Sequence, residues 1–280
     1  MWFYENLYPD VKLGIKGELI HRKKTPYQDL RIYKTPRYGK TLVLDGAIQT
    51  TEKDEFIYHE MLTHPSLLSY PEPKEVLVIG AGDGGILREV LKHNVKKVYL
   101  VEIDDEVIRT SKKYLPSISS GAFAANGRVE IIIADGAKFI RQTKKKFDVV
   151  IVDSPDPIGV AKVLFSRKFY RDIFSILKDD GIMARQSGST TLQLKELKEN
   201  WRIMKEKFPY VSVHLAAIPT YIGGFFSFLV GSKKINQKDI SYDEIMNRFK
   251  QLNLETKYYN PDIHFASTKL PTYVKGGLGE

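Results

Sequence analysis

Four short apolar runs between residues 76 and 152 constrain this chain more than any other feature. Residues 76–79 read Val-Leu-Val-Ile, and residues 98–101, 129–133 and 149–152 follow in the same style. The first is an unbroken apolar stretch of the kind that suits a strand covered on both faces, and the other three, rich in Val and Ile, read as the next strands. Helix-like segments separate them, and residues 169–177 and 192–208 continue the helical series. Further strands are expected at 182–184, 211–217 and 225–230. Strands spaced by helices predict an α/β fold with a parallel, doubly wound sheet.

The beginning of the chain has another rhythm. Residues 28–33 alternate around Leu30 and Ile32, and Tyr38-Gly39-Lys40 reads as a turn. Asp45-Gly46, between strands expected at 41–44 and 48–51, is a strong hairpin signal. A small N-terminal antiparallel β domain is therefore expected over residues 1–60, and the doubly wound domain over 61–280. A helix over 55–69 and the prolines Pro71 and Pro73 mark the join. With 280 residues, 42% of them hydrophobic, a full core can be built.

Composition removes several function classes. No run of 18 apolar residues occurs, so no membrane helix is expected. Residues 1–10 carry Glu5 and Asp10 and do not read as a signal peptide. Cysteine is absent, which excludes disulfides and thiolate zinc sites and points to a reducing, cytoplasmic location. Lys and Arg number 43 against 34 Asp and Glu, a net charge of +9. These charges are scattered. The longest clusters, His21-Arg22-Lys23-Lys24 and Lys144-Lys145-Lys146, lack interleaved aromatics, so no nucleic-acid partner is expected.

The chemistry gathers at the ends of the four apolar runs. Gly80-Ala81-Gly82-Asp83-Gly84-Gly85 follows the first, where Gly80 and Gly82 permit a tight turn and close backbone approach to a ligand. A plain strand-to-helix turn would also use these glycines. Glu102 ends the second run, 22 positions after Gly80, where a doubly wound fold sets an acid against ribose hydroxyls. Asp135-Gly136 closes the third and Asp153 the fourth. All four features thus fall on the edge where open α/β sheets bind ligands. Glu102 is assigned to ribose, Asp135 to an adenine amino group and Asp153 to the reaction. A dinucleotide is disfavoured because Asp83 would repel a pyrophosphate; it suits a ligand whose near end is positive. A methyltransferase using intact S-adenosylmethionine shares the fold and is the competing enzyme reading.

Asp153-Ser154-Pro155-Asp156-Pro157-Ile158-Gly159 sets two carboxylates three apart in a loop stiffened by prolines. A self-capping aspartate turn would look similar. The functional reading is amine chemistry. A primary amine has a pKa near 10.4, so at neutral pH it is mostly a cation without a lone pair. A carboxylate can bind that cation and then remove its proton.

With these motifs in view, the chain resembles the spermidine synthase family. Residues 44–61 (LDGAIQTTEKDEFIYHEM) are similar to its hallmark stretch. Gly80 to Gly85, Asp153 to Gly159, Ile218-Pro219-Thr220-Tyr221 and Tyr258-Tyr259-Asn260 match in order and spacing, so nearly the whole chain is covered. The resemblance implies an N-terminal β domain, a methyltransferase-like α/β domain and a homodimer or homotetramer. It implies decarboxylated S-adenosylmethionine as aminopropyl donor, a diamine such as putrescine as acceptor, methylthioadenosine as product and no tightly bound cofactor. Asp153 matches the catalytic base. Asp156, Tyr58, His59 and Tyr221 match positions lining the diamine channel. Gln28, Asp83, Glu102, Asp135 and Gly136 match donor-binding positions, and Gln49 and Gln186 match positions close to the ligands.

The chain departs from the family pattern in four places. Pro155 replaces Ser or Thr, Val160-Ala161-Lys162 replaces Pro-Ala-Glu, Arg185-Gln186-Ser187-Gly188-Ser189 is an unusual strand end, and Phe265 replaces Arg. His59 and His64 almost read as a zinc-protease helix. Five positions apart, they diverge by roughly 140° around a helix, and no metal site is expected.

Overall fold

The computed structural model describes residues 1–125, 127–155 and 159–279. A two-stranded ribbon, β1 (Trp2–Tyr4) against β2 (Gly14–Lys16), opens the chain. A four-stranded antiparallel meander follows: β3 (Glu18–Lys24), β4 (Asp29–Thr35), β5 (Gly39–Leu44) and β6 (Ala47–Thr51). Asp45 and Gly46 join β5 to β6 with φ of 50° and 84°. Positive φ at both central residues is what a type I′ turn needs, and Asp-Gly adopts it cheaply.

Helix α1 (Glu55–Ser69) is buried over almost its whole length. It packs Ile57, Tyr58, Met61 and Leu62 into the core of a seven-stranded sheet. The strands are β7 (Glu75–Gly80), β8 (Lys97–Glu102), β9 (Val129–Ile133), β10 (Phe147–Asp153), β11 (Leu177–Ser189), β12 (Tyr210–Ala217) and β13 (Phe225–Ser232). Their order is β12-β13-β11-β10-β7-β8-β9. Helices α2 (Gly85–Leu91), α3 (Asp105–Tyr114), α4 (Pro116–Ser119), α5 (Gly136–Gln142), α6 (Arg167–Ile176) and α7 (Leu194–Lys205) occupy the connections. Leu30, Ile32, Leu42 and Leu44 of the meander pack on Val107, Leu115 and Ile118, so the small sheet docks on the α3–α4 region.

Two details differ from the sequence expectation. The sheet is mixed rather than parallel, because β13 runs antiparallel to both β11 and β12. The link over residues 218–224 has no room for a crossover helix, so β12 and β13 pair as a hairpin. Strand β11 also extends well past the expected 182–184. Its end, Arg185 to Ser189, is polar in type yet buried, so hydrophobic pattern could not reveal it. The order around β7 sets the site. The chain leaves β7 toward β8 and leaves β10 toward β11, on opposite sides, so a crevice opens between β7 and β10 at their carboxyl ends. No helix among the described residues is long and apolar enough to cross a membrane.

Candidate functional site

A cavity of about 510 Å³ opens at that crevice. Gly80, Gly82, Asp83, Glu102, Asp135, Gly136 and Asp153 line it from the large sheet. Gln28 and Gln49 reach it from the meander, Tyr58 and His59 from α1, Tyr221 from the β12–β13 link and Gln186 from β11. Asp156 lies outside the described residues.

The glycine turn brings the two halves together. Gly80 pairs with Asp153 across β7 and β10 and has φ +82°. A Cβ there would stand 1.9 Å from the Asp153 carbonyl oxygen, so no side chain fits without moving the aspartate. Gly80→Ala is expected to cost on the order of 10²-fold in turnover through misplacement of Asp153. Steady-state kinetics beside a thermal melt would check it, and turnover near the wild-type value would refute it.

At one end of the cavity, Glu102 is buried and accepts a hydrogen bond from the Asp104 backbone N–H at 2.9 Å. Burial, with Asp104 and Asp153 nearby, pushes its carboxyl up to about 7. Asp104 caps α3 through the Glu106 N–H and accepts from Gln28 Nε2 at 2.9 Å and Thr25 Oγ1 at 2.7 Å. Gln28 therefore ties the meander to the cavity rim through Asp104, a residue the sequence reading missed. Its signal was the cap pattern ahead of a helix. Asp135 is exposed and caps α5, accepting from the Lys138 N–H at 3.0 Å.

At the other end, the Tyr58 hydroxyl donates to Asp153 Oδ1 at 2.5 Å. Burial, then the neighbouring Asp83 charge, raises the Asp153 carboxyl to about 6, against the Tyr58 hydrogen bond and His59, which lower it. Burial and the Asp153 charge push the Tyr58 phenol well up, so it remains a donor. His59 carries a carboxylate on each ring nitrogen: Glu55 on Nδ1 at 2.5 Å and Asp83 on Nε2 at 3.2 Å. Carboxylates only accept, so both nitrogens must hold protons. Burial pulls the imidazolium down, but Asp83 and Glu55 more than offset it and lift it to about 10. Asp83, which also accepts from the Gly85 N–H at 2.9 Å, is held below the usual carboxylate range against its own burial, chiefly by His59. Behind this pair, Arg88 donates from Nη1 and Nη2 to the two oxygens of Glu55, each at 2.9 Å.

Glu55 and Arg88 were not anticipated. Glu55 stands four positions before His59, one helical turn, and that spacing was the available signal. Asp54 couples the hairpin end to the far link, accepting from Thr51 Oγ1 at 2.6 Å and from the Thr220 N–H at 2.9 Å. Tyr221, next in line, donates its hydroxyl to the Gln49 carbonyl at 2.5 Å, and the Gln49 amide turns to the Ala47 carbonyl at 3.2 Å. Tyr58, Tyr221, Phe226 and Phe228 meet edge-on or tilted at 5.0–5.8 Å between centroids and form an aromatic wall. Gln186 donates to the Ser154 carbonyl at 2.9 Å, bracing the residue after Asp153. Carboxylates beside aromatic faces suit an organic cation. His64 turns the other way, to His93 and Glu89, each at 2.9 Å. Among the described residues no cluster of His, Asp and Glu could hold a metal ion.

The comparisons with known proteins agree with this geometry. The family model for the spermidine synthase tetramerisation domain matches residues 1–52, and that for the spermine/spermidine synthase domain matches residues 55–242. A polyamine aminopropyltransferase of Caldicellulosiruptor bescii is 46% identical over 277 residues, covering 98% of this chain and 97% of that one. Another, from Thermoanaerobacter pseudethanolicus, is 45% identical with the same coverage. The crystal structure of spermidine synthase from Thermotoga maritima superposes with a TM-score of 0.93 at 39% identity, covering 100% of this chain and 94% of that one. A spermidine synthase in complex with the transition-state analogue AdoDATO gives 0.94 at 39% identity, covering 100% and 95%. Over nearly its whole length, the chain belongs to the spermine/spermidine synthase family of aminopropyltransferases.

Proposed function

We propose that the chain transfers the aminopropyl group of decarboxylated S-adenosylmethionine to putrescine, giving spermidine and methylthioadenosine, with Asp153 as base. The observation that carries this reading is the position of Asp153, set between the Asp83–His59 pair and the aromatic wall and raised to about 6. A carboxylate so tuned is ionised at neutral pH yet more basic than an exposed aspartate. The acceptor ammonium gives a proton to Asp153. The freed nitrogen lone pair attacks the methylene carbon bonded to sulfur, and the C–S pair returns to sulfur. The thioether leaves neutral and needs no acid. Alignment and exclusion of water supply the rest.

In this reading Glu102 holds the ribose, Asp135 the adenine amino group, and the Gly80, Gly82 and Gly136 backbones lie close to the nucleoside. Gln28 and Gln49 support it from the meander. Asp83 attracts the donor's terminal ammonium and would repel the carboxylate of intact S-adenosylmethionine. Tyr58, His59 and Tyr221 line the diamine channel. The tetramerisation-domain match over 1–52 supports a homo-oligomer, checked by sedimentation. We place the join between the two domains near α1, whose residues from Ile57 onward pack with the large sheet. A cytoplasmic setting goes with a chain that has no cysteine.

The test is release of methylthioadenosine from decarboxylated donor with putrescine, cadaverine, agmatine or spermidine as acceptor. Putrescine should be preferred. If no amine releases the product, or intact S-adenosylmethionine binds more tightly by calorimetry, the reading fails.

A pH profile adds a second check. Asp153 and Glu102 must both be ionised, and their values of about 6 and about 7 lie close together. Activity should therefore rise with pH through this window. The acid limb of log kcat/KM should be steeper than one proton, since that parameter reports the free enzyme. Glu102→Gln should return the slope to a single proton, and a single-proton slope in the wild type would remove Glu102 from the account.

A further inference from the structure

Arg185 is the largest of the fully buried side chains. It sits on β11, paired with Val152 on one side and Leu229 on the other, one position from the register of Asp153. Among the described residues, every hydrogen-bond partner it has is neutral. Nε donates to the Gln186 carbonyl at 3.1 Å, and Nη1 donates to the Leu164 carbonyl and the Tyr170 hydroxyl, each at 2.9 Å. The guanidinium lies 3.9 Å from the centre of the Phe165 ring, and Nη2 has no hydrogen-bond partner among the described residues. A buried cation without a carboxylate is costly, and an apolar residue of similar volume would be cheaper for folding alone. Val152, its register partner on β10, and Met183, two positions earlier on β11, are apolar and buried.

What the cation joins suggests why it is there. Leu164 and Phe165 belong to the 3₁₀ segment Gly159–Phe165, which follows the Asp153 loop and leads into α6. Val163 and Leu164 line the cavity. Among the described residues, the Arg185 bond to Leu164 is the one hydrogen bond that ties residues 162–165 to another strand or helix. Tyr170 is itself held through Asn200 Oδ1 at 3.3 Å, and Asn200 Nδ2 donates to Ser187 Oγ at 3.1 Å. The guanidinium thus clamps one wall of the cavity to the end of β11.

We propose that Arg185 is a positioning residue that holds the Val163–Leu164 wall in place for substrate binding. This rests on the cavity being the substrate site, and the test separates the two claims. Arg185→Met fills the space without the bonds. It should keep or raise the melting temperature, raise KM for donor and amine by roughly 10-fold, and leave kcat within about 3-fold. Without any substrate, amide exchange at residues 164–166 should quicken while α7 is unchanged. Arg185→Lys should fall between, because an ammonium cannot span the three acceptors and stack on the ring. Arg185→Ala should regain part of its affinity on addition of millimolar guanidinium. Wild-type KM and exchange in Arg185→Met would overturn the proposal, as would kinetic losses that only follow a lowered melting temperature. Absence of product release by the wild type would sink the functional reading instead, and the exchange experiment would still decide on Arg185.

Discussion

Asp153→Asn is expected to lower turnover by about 10²–10⁴-fold while methylthioadenosine still binds. Asparagine keeps the shape and can still accept from the Tyr58 hydroxyl, which lies 2.5 Å from the aspartate in the wild type. It cannot take a proton. The variant must then wait for the rare amine that arrives neutral, roughly one in a few thousand at pH 7 for a pKa near 10.4. Its rate should consequently climb with pH well beyond the wild-type window, as the supply of neutral amine grows. Rate measurements from pH 6 to 10 with calorimetry of product binding would check both parts. A loss below about tenfold, with an unchanged profile, would show that Asp153 is not the base.

Glu55→Leu is expected to destabilise the fold by about 3–5 kcal/mol, the range for breaking one partner out of a buried charge cluster. Glu55 is 5% exposed and neutralises both Arg88, which is 16% exposed, and His59, which is 2% exposed. Removing it leaves two cations with Asp83 and Glu89 as the remaining acids beside them. Chemical denaturation would measure the loss, and a change under about 1 kcal/mol would mean the cluster relaxes easily. Glu55→Gln gives a finer reading. The His59 pKa in the fold, about 10, is raised above its ordinary 6.5. Its contribution to stability is therefore complete below pH 6.5 and is lost as pH rises toward 10. With one carboxylate fewer, that window should shift down, which imidazole nitrogen chemical shifts would follow directly.

Much of the architecture was legible because it rests on local rules. The runs at 129–133 and 149–152 became β9 and β10, the helix expected over 55–69 is α1, and Asp45-Gly46 makes the expected tight turn. Period and φ preference act over a few residues, and the chain displays them openly. Placing Glu102, Asp135 and Asp153 on one edge needed only the parallel rule for β7 to β10. The reversed strand β13 escaped, since strand direction depends on what the connecting chain can span. The Tyr258-Tyr259-Asn260 match carried no structural meaning until Glu60 was placed. That buried carboxylate accepts the backbone N–H groups of Lys257, Tyr258 and Tyr259, each at 2.8 Å. Contacts across 197–199 positions leave no periodic trace.

The division follows the range of the forces. Short-range preferences written into successive residues determined the strands, the helices, the glycine turn and the edge where the acids gather. Tertiary packing alone decided how tightly Asp83 and Asp153 each hold a proton. Asp83 and Asp153 are the same residue type, both set at the carboxyl ends of neighbouring strands. One is held low by the buried His59 that Glu55 and Arg88 support, and the other is pushed up by burial beside it. A carboxylate's pKa depends on charges within a few ångströms and on excluded water. Those neighbours come from positions 55, 59, 83, 88 and 153, and only the folded chain brings them together.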